Sequence, residues 1–190
     1  MNIIIPERLK EIEAITLASG AHGDLREGAC VIEAAAYVAG EEWSDQPQCV
    51  CPVIAAFCRS WNDALPDDKR NEFLKPIIPR LVGTRNPALE ERRALMAADW
   101  LVRAHTPAWL RLAGLTTHAD TLAGLPEITA RAQAPSIRGP IEAARKAAHA
   151  QIAAGHAAWA AAGDALRPTT EALQASALDL LNRMIDLEAA

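Results

Sequence analysis

Apolar residues recur along most of the chain at the three- and four-residue spacing of amphipathic helices, and period-two alternation is nearly absent. The first such stretch begins at Pro6, a residue favoured in the first turn of a helix. Ile5, Leu9 and Ile12 lie on its apolar face. The same spacing in later segments predicts an all-α fold, a compact multi-helix domain followed by an antiparallel C-terminal helical hairpin.

Glycine and proline set the limits of the next two predicted helices. One runs from about Ala29 to Ala39 and ends at Gly40, a residue typical of the position after a helix. A loop from Glu41 to Cys51 follows. Pro52 then begins a helix that reaches about Asn62.

The middle of the chain contains three further helix starts, predicted at Asp67, Pro87 and Thr106. Pro76 and Pro79 must bend or divide the first of these helices, because proline lacks the backbone N–H that a helix interior requires.

The last third of the chain has a different pattern. Residues 126–139 contain Ala-Pro-Ser and Gly-Pro sequences and are predicted to form a linker after a helical domain at 1–125. Residues 140–190 are predicted to form the hairpin, packed on that domain or on a partner subunit. Its second helix has a heptad seam formed by Leu173, Ala177, Leu180, Met184 and Leu187.

The boundary between the two hairpin helices is marked by small and turn-forming residues. The first helix is predicted over Ile141 to Ala162, with Trp159 closing one end of the seam. Gly163 is expected to end this helix, and Pro168 to begin the next. The Ala-rich seam predicts closely spaced helices and a homo-oligomer formed through the hairpin.

Composition narrows the class of protein. The 190 residues contain 51% hydrophobic side chains and have a net charge of −5, so a folded core is expected without disulfides or metals. The acidic balance argues against a nucleic-acid or membrane-surface partner, which requires clustered Lys and Arg. No run of 18 apolar residues and no signal peptide is recognisable, so we expect a soluble, cytoplasmic protein with reduced cysteines.

Glu33 has the least expected position of any charged residue. It lies in the middle of an apolar helix, so burial would require a partner or a bound proton. His22, Arg26 and Arg59 are candidate partners. A buried carboxylate beside His22 could act as a general base, but a structural ion pair or hydrogen bond that ties the helix to the preceding loop is the favoured interpretation.

All four cysteines fall between residues 30 and 58 and raise the question of a metal. Cys30, Cys49 and Cys51 are weak candidate ligands, because a C-x-C pair chelates zinc less readily than C-x₂₋₄-C pairs do. Cys51 and Cys58 are seven residues apart and share one helix face, which favours packed thiols. We therefore expect neither a metal nor any other cofactor.

Several polar side chains of the same segment could line a small binding pocket. Tyr37 is four residues after Glu33 and shares its face, and Arg59 lies on the following helix. Ser44 and Asp45 are most simply turn and capping residues, although a polar loop beside a helix start can also hold an anion. These four residues are the candidate binding set for a small polar ligand.

Residues 22 to about 115 resemble a family of small uncharacterised proteins from actinobacteria and their phages. The resemblance is carried by Gly28-Ala29-Cys30, Glu33-Ala34, Val38-Ala39-Gly40-Glu41, Ser44-Asp45, Pro47, Cys49, Pro52-Val53-Ile54, Trp61-Asn62-Asp63, Leu81-Val82-Gly83-Thr84-Arg85 and Ala97-Ala98-Asp99-Trp100-Leu101-Val102-Arg103. It implies no established activity. Related sequences often have His where this chain has Gln46 and Ser where it has Cys51, and both departures weaken a zinc or thiol mechanism.

Three functions are compatible with these patterns. The favoured one is a binding or interaction protein, with phage-related host modulation or ligand sequestration as its role. The alternatives are a hydrolase that uses Glu33 and His22, with or without a metal, and a structural assembly protein. An enzyme requires that pair in an open cleft, whereas a binding protein requires a pocket without it. The binding protein is favoured because no acid–base pair or ligand set has the spacing of a known family, and no nucleotide-binding signature is present.

Overall fold

The computed structural model describes residues 4–154 and 163–188. These residues contain helices and no strand, so the predicted all-α class is confirmed. They form two compact units, one of residues 4–93 with 183–188 and the other of residues 94–154 with 163–182. Within the described chain, no helix is both long and apolar enough to cross a membrane.

The first unit is built from short helices joined by long loops. Its helices are α1 (Pro6–Ala14), α2 (Val31–Val38), α3 (Pro52–Ala64), α4 (Asp67–Leu74), α5 (Ile78–Leu81) and the beginning of α6 (Pro87–Trp100). The predicted starts at Pro6, Pro52, Asp67 and Pro87 are confirmed. The predicted bend is a 3₁₀ turn, Lys75–Ile77, between α4 and α5.

Helix α2 is the centre of this unit. It packs against α1, α3 and α5, and every residue except Tyr37 is buried. Three consecutive alanines, residues 34–36, allow the neighbouring helices to approach closely. Its first residue is Val31 rather than Ala29, because Cys30 is the N-cap and Glu33 completes a capping box. A helix buried on all sides therefore contains a carboxylate.

A buried arginine holds the loop that connects α1 with α2. Arg70 of α4 donates hydrogen bonds to the backbone oxygens of Leu17, Asn62 and Leu65. It also pairs with Asp67 at 2.6 Å. Because a buried guanidinium is costly unless its donors are satisfied, these contacts fix the loop against the end of α3.

The second unit contains the end of α6 and the helices α7 (Thr106–Leu112), α8 (Thr116–Ala123), α9 (Ala134–Ala154) and most of α10 (Gly163–Ile185). Its core includes Leu110, Ala119, Leu122 and Ala144. Between α6 and α7 the backbone forms a π-helical turn, Leu101–His105. This turn brings the ring of His105 to 5.0 Å from Trp100 and 6.2 Å from Trp109, measured between centroids.

The predicted linker at 126–139 contains helical structure that the sequence pattern missed. A 3₁₀ turn covers Arg131–Gln133, and α9 begins at Ala134, seven residues before the expected start. The Gln133 side chain accepts from the backbone N–H groups of Thr129 and Ala130 and donates to the Glu127 oxygen. These hydrogen bonds order a segment whose composition is typical of a linker.

The C-terminal hairpin was predicted with the wrong boundary at its second helix. The described part of α10 runs from Gly163 to Ile185, so Pro168 lies inside this helix and does not begin it, and the predicted turn between Gly163 and Pro168 is helical. A proline there removes only one helical hydrogen bond. Trp159 and the rest of residues 155–162 lie outside the described residues, so the antiparallel arrangement stays a prediction.

Candidate functional site

The carboxylate of Glu33 is buried, with 1% of the residue exposed, and is bound by three donors. Its Oε1 accepts the His22 backbone N–H at 2.7 Å. Its Oε2 accepts the Cys30 N–H at 2.8 Å and lies 2.9 Å from Nδ1 of His22. An ionised carboxylate only accepts hydrogen bonds, so this arrangement places the proton of neutral His22 on Nδ1.

The imidazole of His22 is held in place from two further directions. Its backbone oxygen accepts the indole N–H of Trp43 at 2.7 Å. Its ring lies against Gly28, where a Cβ atom would be only 2.8 Å from Cδ2. Gly28 also has φ +134°, a conformation that other residues rarely adopt. The ring therefore depends on glycine at this position.

The predicted pairing of Glu33 with His22 is present, and its geometry is that of an anchor. The carboxylate ties the N-terminus of α2 to residues 22 and 30, which lie on the loop before it. Cys30 completes the cap, because its Sγ accepts the Glu33 backbone N–H at 3.4 Å. Arg26 and Arg59, the other proposed partners, are not among the donors to this carboxylate.

The cysteines are buried and reduced. Burial, followed by the charge of Glu33, raises the pKa of Cys30 to about 12. Burial, followed by the charge of Glu41, raises the pKa of Cys49 to about 12, and burial also raises the pKa of Cys58. A thiol that stays protonated at neutral pH is a poor nucleophile.

The candidate metal ligands do not converge. Cys51 is the N-cap of α3, and its backbone N–H donates to Oγ1 of Thr84 at 3.0 Å. In the part of the chain that the structure describes, no group of three or more His, Cys, Asp or Glu side chains could hold a metal ion. Cys30, Cys49 and Cys51 are therefore placed as packed thiols within the first unit.

A small cleft opens in the first unit beside the Glu33 anchor. We call it the polar cleft and define it by its lining residues Gly20, Ala21, Cys30, Asp45, Arg59, Ser60 and Asp63. Its volume is about 280 Å³. Neither His22 nor Glu33 is among the lining residues. The cleft therefore lies next to the His–Glu pair but does not contain it.

Two charged side chains of α3 are fixed at the cleft wall. Asp63 Oδ1 accepts the Gly20 N–H at 2.8 Å and the Asn62 side-chain N–H at 3.1 Å. Arg59 donates from Nη1 to the backbone oxygen of Asp45 at 2.6 Å, and its Nε lies 3.7 Å from the Asp45 carboxylate. Groups held in this way need little reorganisation to bind a ligand.

The four predicted binding residues are divided between two places. Asp45 and Arg59 line the polar cleft, whereas Tyr37 and Ser44 do not. The Tyr37 hydroxyl donates to Glu11 at 2.6 Å, and this hydrogen bond is the main cause that raises the Tyr37 pKa. Ser44 accepts the backbone N–H of Gln46 at 3.0 Å, the turn contact expected of it.

Asn62 is the supporting residue that sequence reasoning missed. It is fully buried, and its amide accepts the Val31 N–H and donates to the Ala18 oxygen and to Asp63. Its position between Trp61 and Asp63 near the end of an amphipathic helix was a usable signal, because a buried amide must be hydrogen-bonded. Ser60 and Gly20 line the cleft without a comparable sequence signal.

Comparisons of the chain with protein-family models, with curated proteins and with solved structures give no match.

Proposed function

We propose that this protein binds a small polar ligand in the polar cleft and holds it without converting it. The proposal rests on the identity of the residues that line the cleft. The lining combines Arg59, Asp45 and Asp63 at fixed positions but lacks the His22–Glu33 pair. A volume of about 280 Å³ lies just below the usual range of small-molecule sites. Such a protein would sequester or deliver its ligand.

The chemistry of the lining supports binding over turnover. Catalysis by a nucleophile requires a base within hydrogen-bond reach of it in the cleft. Cys30 is the lining thiol, and burial raises its pKa to about 12. The Glu33 carboxylate beside it accepts from three donors and is buried in the protein interior.

A cleft-filling variant tests this proposal. Ser60 is exposed on α3 and lines the cleft, so Ser60→Trp should block it, whereas Ala56→Trp changes an exposed residue of the same helix that does not line it. Native mass spectrometry of gently purified protein should detect a retained small molecule on the wild type and on Ala56→Trp, but not on Ser60→Trp. A wild type that neither retains a molecule nor binds one in titration, or equal retention by all three proteins, contradicts the proposal.

Hydrolysis remains a second candidate because one observation favours it. The imidazole of His22 is oriented by a buried carboxylate at 2.9 Å and is 11% exposed, an arrangement also found where histidine acts as a base. A panel of activated esters should be hydrolysed by the wild type and much more slowly by His22→Gln. Hydrolysis that survives this change, or that neither protein performs, rejects a catalytic role for His22.

A further inference from the structure

We infer that the ligand of the polar cleft is a small zwitterion of the α-amino acid class, with its ammonium group at Asp63 and its carboxylate at Arg59. This inference rests on the ligand-binding function proposed above and specifies the chemistry of the ligand. It follows from which charged groups of the cleft are already paired and which retain binding capacity.

Arg59 would bind the carboxylate, the anionic end of the ligand. One contact, from Nη1 to the Asp45 backbone oxygen, has hydrogen-bond length, whereas the 3.7 Å separation from the Asp45 carboxylate exceeds it. Within the described residues, Nη2 of Arg59 has no acceptor, and the side chain is 30% exposed. A guanidinium that is fixed at one nitrogen and open at another can bind a carboxylate.

Asp63 would bind the ammonium group, the cationic end of the ligand. Oδ1 is held by Gly20 and Asn62, so the second oxygen, Oδ2, has a defined position. Both existing partners are neutral N–H groups, and among the described residues no Lys, Arg or His forms an ion pair with Asp63. Asp63 is exposed, so an ammonium group at Oδ2 would pair with a carboxylate that solvent otherwise hydrates.

The charge balance of the cleft excludes a simple anion. Arg59 contributes one positive charge, and Asp45 and Asp63 contribute two negative charges. The nearby N-terminus of α2 offers no phosphate site, because N–H groups of its first turn already bind Asn62, Glu33 and the Cys30 sulfur. A phosphate or dicarboxylate would therefore meet a net negative wall, whereas a zwitterion matches both signs.

The size of the cleft agrees with this class of ligand. Its volume of about 280 Å³, just below that of typical small-molecule sites, suits a ligand of few atoms. Ser60, another lining residue, adds a neutral hydroxyl that can donate and accept.

Calorimetric titration with free amino acids tests the inference on the full chain. Each of the twenty common L-amino acids is titrated into the wild type, and every binder is compared with its decarboxylated amine and its N-acetyl derivative. We expect at least one amino acid to bind and each derivative to bind at least tenfold more weakly. Asp63→Asn and Arg59→Gln should each weaken binding at least tenfold.

Matched variants separate local from general effects. Asp63→Asn keeps an oxygen for Gly20 and Asn62, so the wall should stay folded, as circular dichroism would verify. Asp68→Asn removes an exposed charge on α4 outside the cleft and should leave binding unchanged. Binding that persists in Asp63→Asn and Arg59→Gln, or tighter binding of a dicarboxylate, overturns the inference.

The ligand-binding function and the zwitterion class of the ligand can be refuted separately. If Ser60→Trp removes a molecule retained by the wild type but no amino acid binds, the zwitterion class is wrong and the ligand-binding function stands. If the wild type retains no molecule and binds no amino acid, both are wrong.

Discussion

Replacing Glu33 with glutamine tests whether this residue is a structural anchor. The substitution keeps the size and shape of the side chain but removes its charge and converts one acceptor oxygen into an N–H₂ donor. The present carboxylate receives two backbone N–H groups, from His22 and Cys30, and the Nδ1–H of His22. Glutamine can accept at one oxygen only, so its N–H₂ group must face at least one donor.

The loss of unfolding free energy in Glu33→Gln can be calculated from these three contacts. A hydrogen bond to a charged group contributes about 1.5–3 kcal/mol, and a buried donor without a partner costs about 1–3 kcal/mol. The amide oxygen of glutamine preserves one backbone contact, and reorientation of His22, which is 11% exposed, relieves part of the remainder. We therefore expect Glu33→Gln to lower the free energy of unfolding by about 2–4 kcal/mol.

Urea unfolding and thermal melts of purified protein measure this difference. In a chain of this size the expected loss corresponds to a melting temperature lower by roughly 5–15 °C. Glu42→Gln is the matched control, because Glu42 is exposed on the following loop, and its effect should stay within about 0.5 kcal/mol. An unchanged or raised melting temperature for Glu33→Gln would refute the anchor and favour a strained, functional carboxylate.

Three further expectations follow from the backbone, the imidazole and the thiols. Gly28→Ala should cost about 2 kcal/mol or more, because φ is +134° and the new Cβ meets the His22 ring at 2.8 Å; an unchanged or higher free energy of unfolding in urea would contradict this. Burial lowers the pKa of His105 from its ordinary 6.5, so the unfolded chain binds the proton first and stability should fall as pH decreases below about 6.5. His105→Gln should not lose stability in this pH range. If the stability of both proteins depends equally on pH, His105 is not the responsible group. Thiols with a pKa near 12, Cys30 and Cys49, should resist iodoacetamide at pH 8 until urea unfolds the chain, and rapid labelling of the native protein would contradict this.

Helix starts were predictable because their signals are local. Pro6, Pro52 and Pro87 each occupy a first turn, where the missing N–H has no cost, and each begins a helix as expected. The start of α9 was missed although Pro135 lies in its first turn, because the Ala-Pro-Ser and Gly-Pro sequences were interpreted as a linker. Gln133 orders this segment through contacts to backbone groups up to six residues away, and composition does not reveal such contacts. Pro140 and Pro168 lie inside α9 and α10, whereas a proline is expected near the start of a helix.

The candidate site was predictable only where burial of a charged group required a hydrogen-bond partner. A carboxylate in the apolar stretch around Glu33 needed donors, and His22 was a correct partner. Its two backbone partners were not predictable, because they depend on how the loop folds back over α2. The polar cleft depends on contacts among Asp63, Gly20 and Asn62, which tertiary packing brings together.

The anchor and the cleft are coupled through two residues, Cys30 and Asn62. Glu33 holds the backbone of Cys30, and Cys30 is one of the residues that line the polar cleft. Asn62 connects the same two regions from the other side, because its amide binds both Val31 at the start of α2 and the Asp63 carboxylate. The buried polar residues therefore support the cleft without contacting a ligand. Loss of Glu33 should consequently weaken ligand binding even though its carboxylate lies outside the lining, which separates an indirect effect on affinity from the direct effect expected at Asp63.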